Sequence, residues 1–180
     1  LFLLIIGTLP AALIGLALRD WFEQVFSQPA IAAMLLLVTA ILLFVGERLG
    51  KLTRSIEALR WGDALLIGLG QALAILPGIS RSGATIAAGR MLHLEREAAA
   101  RLSFLLATPL IFGVGLLRLV ELITTGTLRL QGPILMAGFA GAAVTGYAAI
   151  RWLLHYLRTR STLLFSVYCV VMAIFCLTVF

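Results

Sequence analysis

Long runs of apolar residues without a charge are the feature that most limits what this chain can fold into. The first run, Leu1–Leu18, has 18 residues and no ionisable side chain. As a helix it would extend about 27 Å, close to the roughly 30 Å of a bilayer core. Only 12% of the 180 residues are charged, against about 25% in soluble domains. The sequence therefore predicts an all-α, polytopic membrane protein with a single transmembrane domain over residues 1–180.

Further runs are long and apolar enough to cross a bilayer. They are Pro29–Gly46, Leu102–Val120, Ile134–Leu154 and Leu163–Phe180. Together with the first run they predict five full spans. Pro109 is expected to interrupt its span, because a proline removes a helical hydrogen bond. A membrane interface is predicted after the first run, at Arg19, Asp20, Trp21 and Glu23.

The segment Ala64–Leu92 is apolar but broken in the middle. Its halves, Ala64–Leu76 and Ala84–Leu92, would form helices of about 20 Å and 14 Å, each too short to cross a bilayer. They can form a re-entrant hairpin, which enters and returns, or one broken helix that crosses. With the hairpin, one side of the membrane carries ten Arg and Lys residues and the other side three. This bias favours the hairpin and places the ten-residue side in the cytoplasm. The ten are Arg48, Lys51, Arg54, Arg60, Arg90, Arg96, Arg101, Arg151, Arg158 and Arg160; the three are Arg19, Arg118 and Arg129.

The break itself, Pro77-Gly-Ile-Ser-Arg-Ser-Gly-Ala-Thr85, concentrates polar groups in an apolar chain. A charge at membrane depth is costly, so Arg81 is a candidate functional residue. Gly78 and Gly83 allow a tight turn and the close approach of a ligand. A helix opened by Gly83 and Ala84 would present amides without intrahelical partners. Amides, a guanidinium and hydroxyls in one place predict a site for a multiply charged oxyanion such as phosphate.

Each of these side chains also has a purely structural interpretation. Arg81 could be held by backbone carbonyls at the helix break. Ser80 and Ser82 could be helix caps; the two interpretations of Ser82 are balanced, and for Ser80 we favour the functional one. The Thr85 hydroxyl could face a phosphate or bond back to a helix carbonyl. Gln71, in the first half of the segment, is either a strut of the hairpin or a neighbour of the site.

This region resembles a known family. GLGQALAILPGISRSGATIAAGRML, followed by EREAAARLSFLLATPLIFG, is similar to the second signature region of the undecaprenyl-diphosphate phosphatase (bacitracin-resistance) family. The resemblance implies a bacterial inner-membrane enzyme that hydrolyses undecaprenyl diphosphate and recycles the cell-wall carrier lipid, with a site that faces outward. It also implies that Arg81, Ser80 and Thr85 are catalytic residues. Substrate contacts are expected from Gly78, Ser82, Gly83, Ala84 and Gln71.

The resemblance also implies an amino-terminal signature, with glutamates and a histidine, that this sequence does not contain. We therefore expect an amino-terminal span and a first hairpin to be missing, so that this chain is the second half of an inverted repeat. The acids of the chain fall at predicted span ends, and none is placed as a base beside Arg81. A divalent cation, Mg²⁺ or Ca²⁺, is expected to have its ligands in the missing part. The chain alone is expected to bind a diphosphate without hydrolysing it.

Other functions have less support from the sequence. The main alternative is a transporter or lipid-carrier flippase that binds an anion at a broken helix. The net charge of +6 reports membrane topology rather than nucleic-acid binding. Cys169 and Cys176 are expected to pack on one helix face, and no spacing of Cys or His is typical of a metal site. Small residues recur every four positions at Gly138, Ala142 and Gly146, a face suited to packing within the chain or in a homodimer.

Overall fold

The computed structural model describes residues 2–18, 29–126 and 128–179. In these residues the regular elements are helices, apart from one isolated bridge between Arg54 and Leu94. They are α1 (Phe2–Ala17), α2 (Pro29–Leu49), a 3₁₀ turn (Ile56–Ala58), α3 (Trp61–Leu73), α4 (Arg81–Met91), α5 (Arg96–Thr124), α6 (Leu128–Thr159) and α7 (Leu163–Val179). The predicted all-α class is confirmed.

Three stretches of helix are long and apolar enough to cross a membrane. They are Pro29–Leu49, Arg96–Thr124 and Gly132–Thr159, with mean hydropathies of 2.5, 1.9 and 1.5. α1 and α7 are also apolar but shorter, at 16 and 17 residues. Such helices extend about 24–26 Å. The chain therefore has the helices of a multi-pass membrane protein, while the count of five spans and the inverted repeat stay predictions.

Two details of the predicted spans have different outcomes. α5 continues unbroken through Pro109, so the predicted interruption is wrong. A proline removes only one amide donor from a helix, and transmembrane helices tolerate that loss. The predicted interface at Arg19–Glu23 lies outside the described residues.

α3 and α4 form the two halves of the predicted hairpin and fold back on each other. A Cβ on Gly70 of α3 would lie 3.1 Å from the Cβ of Ala88 in α4, so the two helices are in direct contact. The break spans residues 74–80 and is shifted from its predicted place, because α3 ends at Leu73 and α4 begins at Arg81. The helix therefore starts before the predicted Gly83 and Ala84, because Ser80 is its N-cap.

Arg54 joins the open ends of these two helices. Its guanidinium donates to the carboxylate of Asp63, in the first turn of α3, at 2.5 Å, and to the carbonyl of Leu92, just after α4, at 3.2 Å. The backbone amides of Thr53 and Arg54 both donate to the carbonyl of His93 at 3.1 Å. The start of α3 and the end of α4 therefore lie side by side. A re-entrant topology requires this geometry; the position of the pair in a bilayer stays a prediction.

α4 is enclosed by its neighbours although it has few large apolar residues. Its buried residues are Gly83, Ala84, Thr85, Ile86, Ala87, Gly89 and Arg90. Small side chains permit this close approach. A Cβ on Gly46 of α2 would lie 2.9 Å from the carbonyl oxygen of Ala87 in α4. α4 is therefore fixed against α2 along its length, and the turn before it is held with it.

A buried ion cluster anchors the far end of α4. The carboxylate of Glu47, near the end of α2, is 6% exposed and pairs with Arg96 of α5. It also accepts a hydrogen bond from the hydroxyl of Thr162 at 2.8 Å. Arg90 of α4 lies 3.8 Å from Glu47 and donates to two backbone carbonyls, at 2.6 and 3.0 Å. Arg90 is therefore a structural cation. If Arg90 is left out of the count of basic residues, nine lie on one side of the membrane and three on the other. This bias still predicts that the same side is cytoplasmic.

The outer halves of α5 and α6 are exposed. Apart from the adjoining turns of the same helix, no atom of the described residues lies within 4 Å of the position that a Cβ on Gly138 or Gly146 would take, and Ala142 is exposed. The predicted small-residue face thus makes no close contact at these glycines within the described part of the chain. Of its two interpretations, packing within the chain is not observed there.

Candidate functional site

The turn between α3 and α4 is pressed against α2. Gly78 in this turn has a φ of +92°, and a Cβ there would lie 1.9 Å from the carbonyl oxygen of Ala32 in α2. Only glycine fits both this conformation and this contact. The structure therefore gives Gly78 a packing role, and its contact with substrate stays a prediction.

Thr39, in the middle of α2, also holds this turn. It is fully buried, at 0% exposure. Its hydroxyl oxygen accepts a hydrogen bond from the amide of Ser80 at 2.9 Å and lies 3.5 Å from the carbonyl oxygen of Gly78. Thr39 is not among the residues predicted from the sequence. The available signal was a threonine inside an apolar run, where a buried hydroxyl needs a partner.

Ser80 is the N-cap of α4. Its side-chain oxygen accepts from the amide of Gly83 at 3.1 Å, and its carbonyl accepts from the amide of Ala84 at 2.8 Å. The amides of Gly83 and Ala84 are therefore both engaged, and the helix does not open at these residues as predicted. A helix that begins at Arg81 instead leaves the amides of Arg81 and Ser82 without an intrahelical partner.

The hydroxyl of Ser82 lies beside that of Ser80, with 3.4 Å between the two oxygens. Because Ser80 is the cap, the capping interpretation of Ser82 is wrong. The Ser80 oxygen accepts from Gly83, which leaves its hydroxyl hydrogen for another acceptor. One of the two serines donates to the other in this arrangement, so the pair keeps one hydroxyl hydrogen that can be donated to an anion at the start of α4.

Arg81 is the first residue of α4, and its side chain is half-buried. The described residues offer its guanidinium no ion pair and no hydrogen bond. The structural interpretation required backbone carbonyls around Arg81, and such carbonyls instead surround Arg90. Within the described part of the chain, Arg81 is thus available to an anion.

Thr85 links α4 to α5. Its hydroxyl lies 2.8 Å from the carbonyl oxygen of Arg81 and 2.6 Å from the hydroxyl of Ser103, and the residue is 1% exposed. This is the back-bonded arrangement that was its structural alternative. Ser103, which was not predicted from the sequence, is buried in the same way. A direct contact between Thr85 and phosphate stays a prediction.

Gln71 lies in α3 and is 1% exposed. Neither polar atom of its side-chain amide has a hydrogen-bond partner among the described residues. Burying an unpaired amide is costly. Both interpretations of Gln71, the strut and the neighbour of the site, need a partner that the described residues do not supply, so both stay open.

A cavity of about 260 Å³ opens beside the two serines. It lies among α2, α4, α6 and α7, and Ser80, Ser82 and Gly83 form its edge at the start of α4. Its walls are mainly apolar and include Leu36, Leu43, Ile86, Leu157, Phe165 and Cys169. Arg81 is not part of this lining. The cavity can hold an apolar group next to two hydroxyls.

Four of the six carboxylates in the described residues form ion pairs away from Arg81, and those of Glu57 and Glu95 form none. The ion pairs are Glu47 with Arg96, Asp63 with Arg54, Glu97 with Arg101 and Arg158, and Glu121 with Arg118. The hydrogen bond from Arg54 lowers the pKa of Asp63. No group of three or more His, Cys, Asp or Glu that could hold a metal ion occurs in the described residues. These residues therefore do not fit the expected cation site.

Nearly the whole chain matches one protein family. The family profile described as bacitracin resistance protein BacA matches residues 1–175.

The chain belongs to the BacA family.

Relatives of this BacA-family chain are similar over most of its length. A protein of Methanothermobacter thermautotrophicus named undecaprenyl-diphosphatase is 45% identical over 170 residues, which is 93% of either chain. Proteins of the same name from Halothermothrix orenii and Gloeobacter violaceus are 39% and 46% identical. These matches cover 96% and 92% of this chain but 66% and 58% of the relatives. The chain thus spans most of the first relative and about three-fifths of the other two.

Proposed function

We propose that this protein hydrolyses undecaprenyl diphosphate to undecaprenyl phosphate and inorganic phosphate. The observation that carries the proposal is the BacA match over residues 1–175, with relatives that bear the name undecaprenyl-diphosphatase. The matched range contains the whole turn and α4. No comparable observation supports a transporter or flippase.

The groups at the start of α4 suit a diphosphate. The planar guanidinium of Arg81 can donate two parallel hydrogen bonds to phosphate oxygens, and no ion pair with a described residue has to be broken first. The hydroxyls of Ser80 and Ser82 and the first amides of α4 add donors at the positive end of the helix dipole. Enzymatic phosphoryl transfer depends mainly on positioning and on stabilising charge, which are what these groups supply.

The remaining predicted site residues shape the turn in this proposal. Thr85 fixes the carbonyl of Arg81, and Gly78 lets the turn approach α2. Gly83 and Ala84 contribute amides that hold the Ser80 cap. We propose that the buried side-chain amide of Gln71 is a neighbour of the site. Ser80, Ser82 and Arg81 are the residues proposed to touch the substrate.

A divalent cation, Mg²⁺ or Ca²⁺, is a separate part of the proposal. Its ligands would lie outside the described residues, so the roles proposed for Arg81 and the two serines do not depend on it. No described residue is assigned as the base. Phosphate release measured before and after chelation, and again after either ion is restored, tests this part. Activity that withstands chelation would contradict it.

The proposed location is the bacterial inner membrane, with α3 and α4 re-entrant from the cytoplasmic side. The Arg54 bonds that bring Asp63 and Leu92 together support this topology, as does the excess of basic residues on that side. The turn would then reach toward the outer face, where the site is proposed to open.

Phosphate release from undecaprenyl diphosphate in detergent micelles tests the function. We expect release when the chain is joined to the amino-terminal part of the longer Halothermothrix orenii relative, and little from the chain alone. The Methanothermobacter relative, which has a similar length, is measured in the same way as the matched control for the chain alone. Release by the chain alone would show that our expectation of an incomplete site is wrong. No release in any form, with transfer of labelled lipid across vesicles, would overturn the proposal in favour of a carrier.

A further inference from the structure

We propose that a basic pocket between the first turns of α5 and the last turns of α6 binds the anionic headgroup of a phospholipid, on the side proposed to be cytoplasmic. The pocket has a volume of about 360 Å³. It is lined by Glu97, Arg101, Arg151, Leu154, His155 and Arg158. Arg81 lies elsewhere, at the start of α4, so this inference goes beyond the proposed function and does not depend on it.

Arginines from two helices converge on this pocket. Arg151, His155 and Arg158 are four and three residues apart on α6, which places them on one face of that helix. Arg101 adds a guanidinium from α5. Three arginines and one glutamate leave the lining with two positive charges when the histidine is neutral. Guanidinium groups match phosphate oxygens with paired hydrogen bonds, so the pocket suits a phosphate group.

Glu97 holds two of these arginines in place and leaves them donors to spare. Its carboxylate accepts hydrogen bonds from Arg101 at 2.9 Å and from Arg158 at 2.8 Å. A guanidinium has five N–H donors; Arg101 gives one of them to Glu97, and Arg158 gives two. The two arginine side chains are 55% and 58% exposed. Both can therefore donate to a second anion while Glu97 keeps them together.

Arg151 carries the least compensated charge of the pocket. Within the described part of the chain its guanidinium donates to the neutral hydroxyl of Tyr147, at 3.2 Å, and forms no ion pair. A phosphate in the pocket would supply the negative charge that the described residues do not.

The surroundings of the pocket favour a lipid over a soluble phosphate. Trp152, next to Arg151, is 58% exposed and stacks on Tyr156, with 5.5 Å between the ring centroids. Tryptophan and tyrosine are enriched at the headgroup level of a bilayer. Leu154 gives the lining an apolar side chain that can meet the glycerol end of a lipid. Basic pockets between transmembrane helices on the cytoplasmic side are typical sites for anionic headgroups.

The size of the pocket agrees with a headgroup. A cavity of about 150 Å³ holds one benzene molecule, so one of about 360 Å³ has room for roughly fourteen non-hydrogen atoms on that scale. A glycerol phosphate has fewer atoms than this and fits. The acyl chains of the lipid would then lie outside the pocket, along the apolar surface of α6.

Binding of phosphatidylglycerol to the purified chain in detergent, measured by microscale thermophoresis, tests the proposal. Arg151→Gln removes the least compensated charge. Arg160→Gln is the matched control, because it removes the same charge from an exposed residue just after α6 that is not part of the lining. We expect Arg151→Gln to raise the dissociation constant about tenfold, as for the loss of a charge-assisted hydrogen bond, and Arg160→Gln to leave it nearly unchanged. Arg101→Gln, on the other helix, should also weaken binding.

Two competing ligands identify what the pocket recognises. Phosphatidylcholine with the same acyl chains has a phosphate but no net charge and should bind more weakly than phosphatidylglycerol. Inorganic phosphate at the same concentration should not displace phosphatidylglycerol; if it does, the ligand is a soluble anion and the proposal of a lipid site is wrong.

Three further results would overturn the proposal. They are equal binding of the two lipids, equal weakening by Arg151→Gln and Arg160→Gln, and an unchanged affinity in Arg101→Gln. All three arginines are exposed, so the midpoints of thermal unfolding without lipid should stay close to that of the parent chain, which separates lost binding from lost folding. No turnover is needed in these measurements, so a failure here leaves the proposed function unaffected.

Discussion

Arg81 and Arg90 lie on the same helix in very different surroundings. Arg90 is 1% exposed, lies 3.8 Å from Glu47 and donates to two backbone carbonyls. Arg81 is half-buried and makes no such bond within the described residues. A buried arginine with partners stabilises a fold, whereas one without partners in the folded chain is suited to a ligand. The two residues can therefore be separated by experiment.

Replacing Arg81 by lysine should abolish most activity without harming the fold. The ammonium keeps the charge but cannot form the planar pair of hydrogen bonds. Losing a contact that strengthens in the transition state costs about 2.7–4 kcal/mol, or roughly a hundredfold or more in rate. The measurement is phosphate release from undecaprenyl diphosphate. It uses whichever form of the protein is active, either the chain alone or the chain joined to the amino-terminal part of the longer relative. Turnover near that of the parent protein would make Arg81 a structural residue.

Arg90→Lys is the matched variant and should have the opposite effect. A lysine cannot reach both carbonyls and Glu47 in the same geometry, which leaves buried acceptors unpaired at about 1–3 kcal/mol. We expect a lower midpoint of thermal unfolding for Arg90→Lys and an unchanged midpoint for Arg81→Lys, both measured in the same detergent. If Arg81→Lys lowers the midpoint as much as Arg90→Lys does, the distinction between the two arginines is wrong.

At the scale of single elements, the α3–α4 pair shows what the sequence could predict. Lengths and polarity identified two short helices around a break, since neither half could cross a bilayer. The start of α4 was misplaced, because the choice between Ser80 and Ser82 as cap depends on the contact of Ser80 with Thr39 in α2. Thr39, Ser103 and Glu47 act through partners distant in sequence. No local pattern could assign those partners.

The bond between Arg54 and Asp63 gives the hairpin a pH dependence. The hydrogen bond from Arg54 lowers the pKa of Asp63 in the folded protein. The carboxylate therefore stabilises the fold above the unfolded pKa of about 3.9, and this contribution is lost as the pH falls through the lower folded value. Thermal unfolding midpoints of the parent and Asp63→Asn should differ at pH 7 and converge below about pH 4.

Glu121→Gln is the control for this prediction. Its pair with Arg118 has side chains that are 58% and 73% exposed, and exposed pairs contribute little to stability. The midpoint should change little with this substitution at any pH in the range. A difference between the parent and Asp63→Asn that is the same at pH 7 and at pH 3 would show that the Asp63 carboxylate charge is not what stabilises the hairpin.

At the scale of the whole molecule, ion pairs show which helix ends lie on one side. Glu97, at the start of α5, pairs with Arg158 near the end of α6 at 2.8 Å. With 29 and 32 residues, both helices exceed the roughly 20 residues needed to cross a bilayer. We therefore expect their connection near Thr125 to lie on the opposite side of the membrane from Glu97. Glu47 contacts Arg96, Thr162 and Arg90. These residues therefore lie at the same end of the molecule as the open end of the α3–α4 hairpin.

Cysteine labelling should therefore find both ends of the hairpin in the cytoplasm and the α5–α6 connection outside. Trp61, which is 66% exposed, and Glu95, which is exposed, are suitable reporter sites. Asp63 bonds to Arg54, and His93 has a φ of +68°, so substitutions there would disturb the hairpin. In a background with Cys169 and Cys176 replaced by serine, a membrane-impermeant maleimide should label Thr125→Cys in intact cells. Trp61→Cys and Glu95→Cys should react only after the membrane is opened. If Trp61→Cys and Glu95→Cys label from opposite sides, α3 and α4 form one broken helix that crosses the membrane, and the re-entrant topology is wrong.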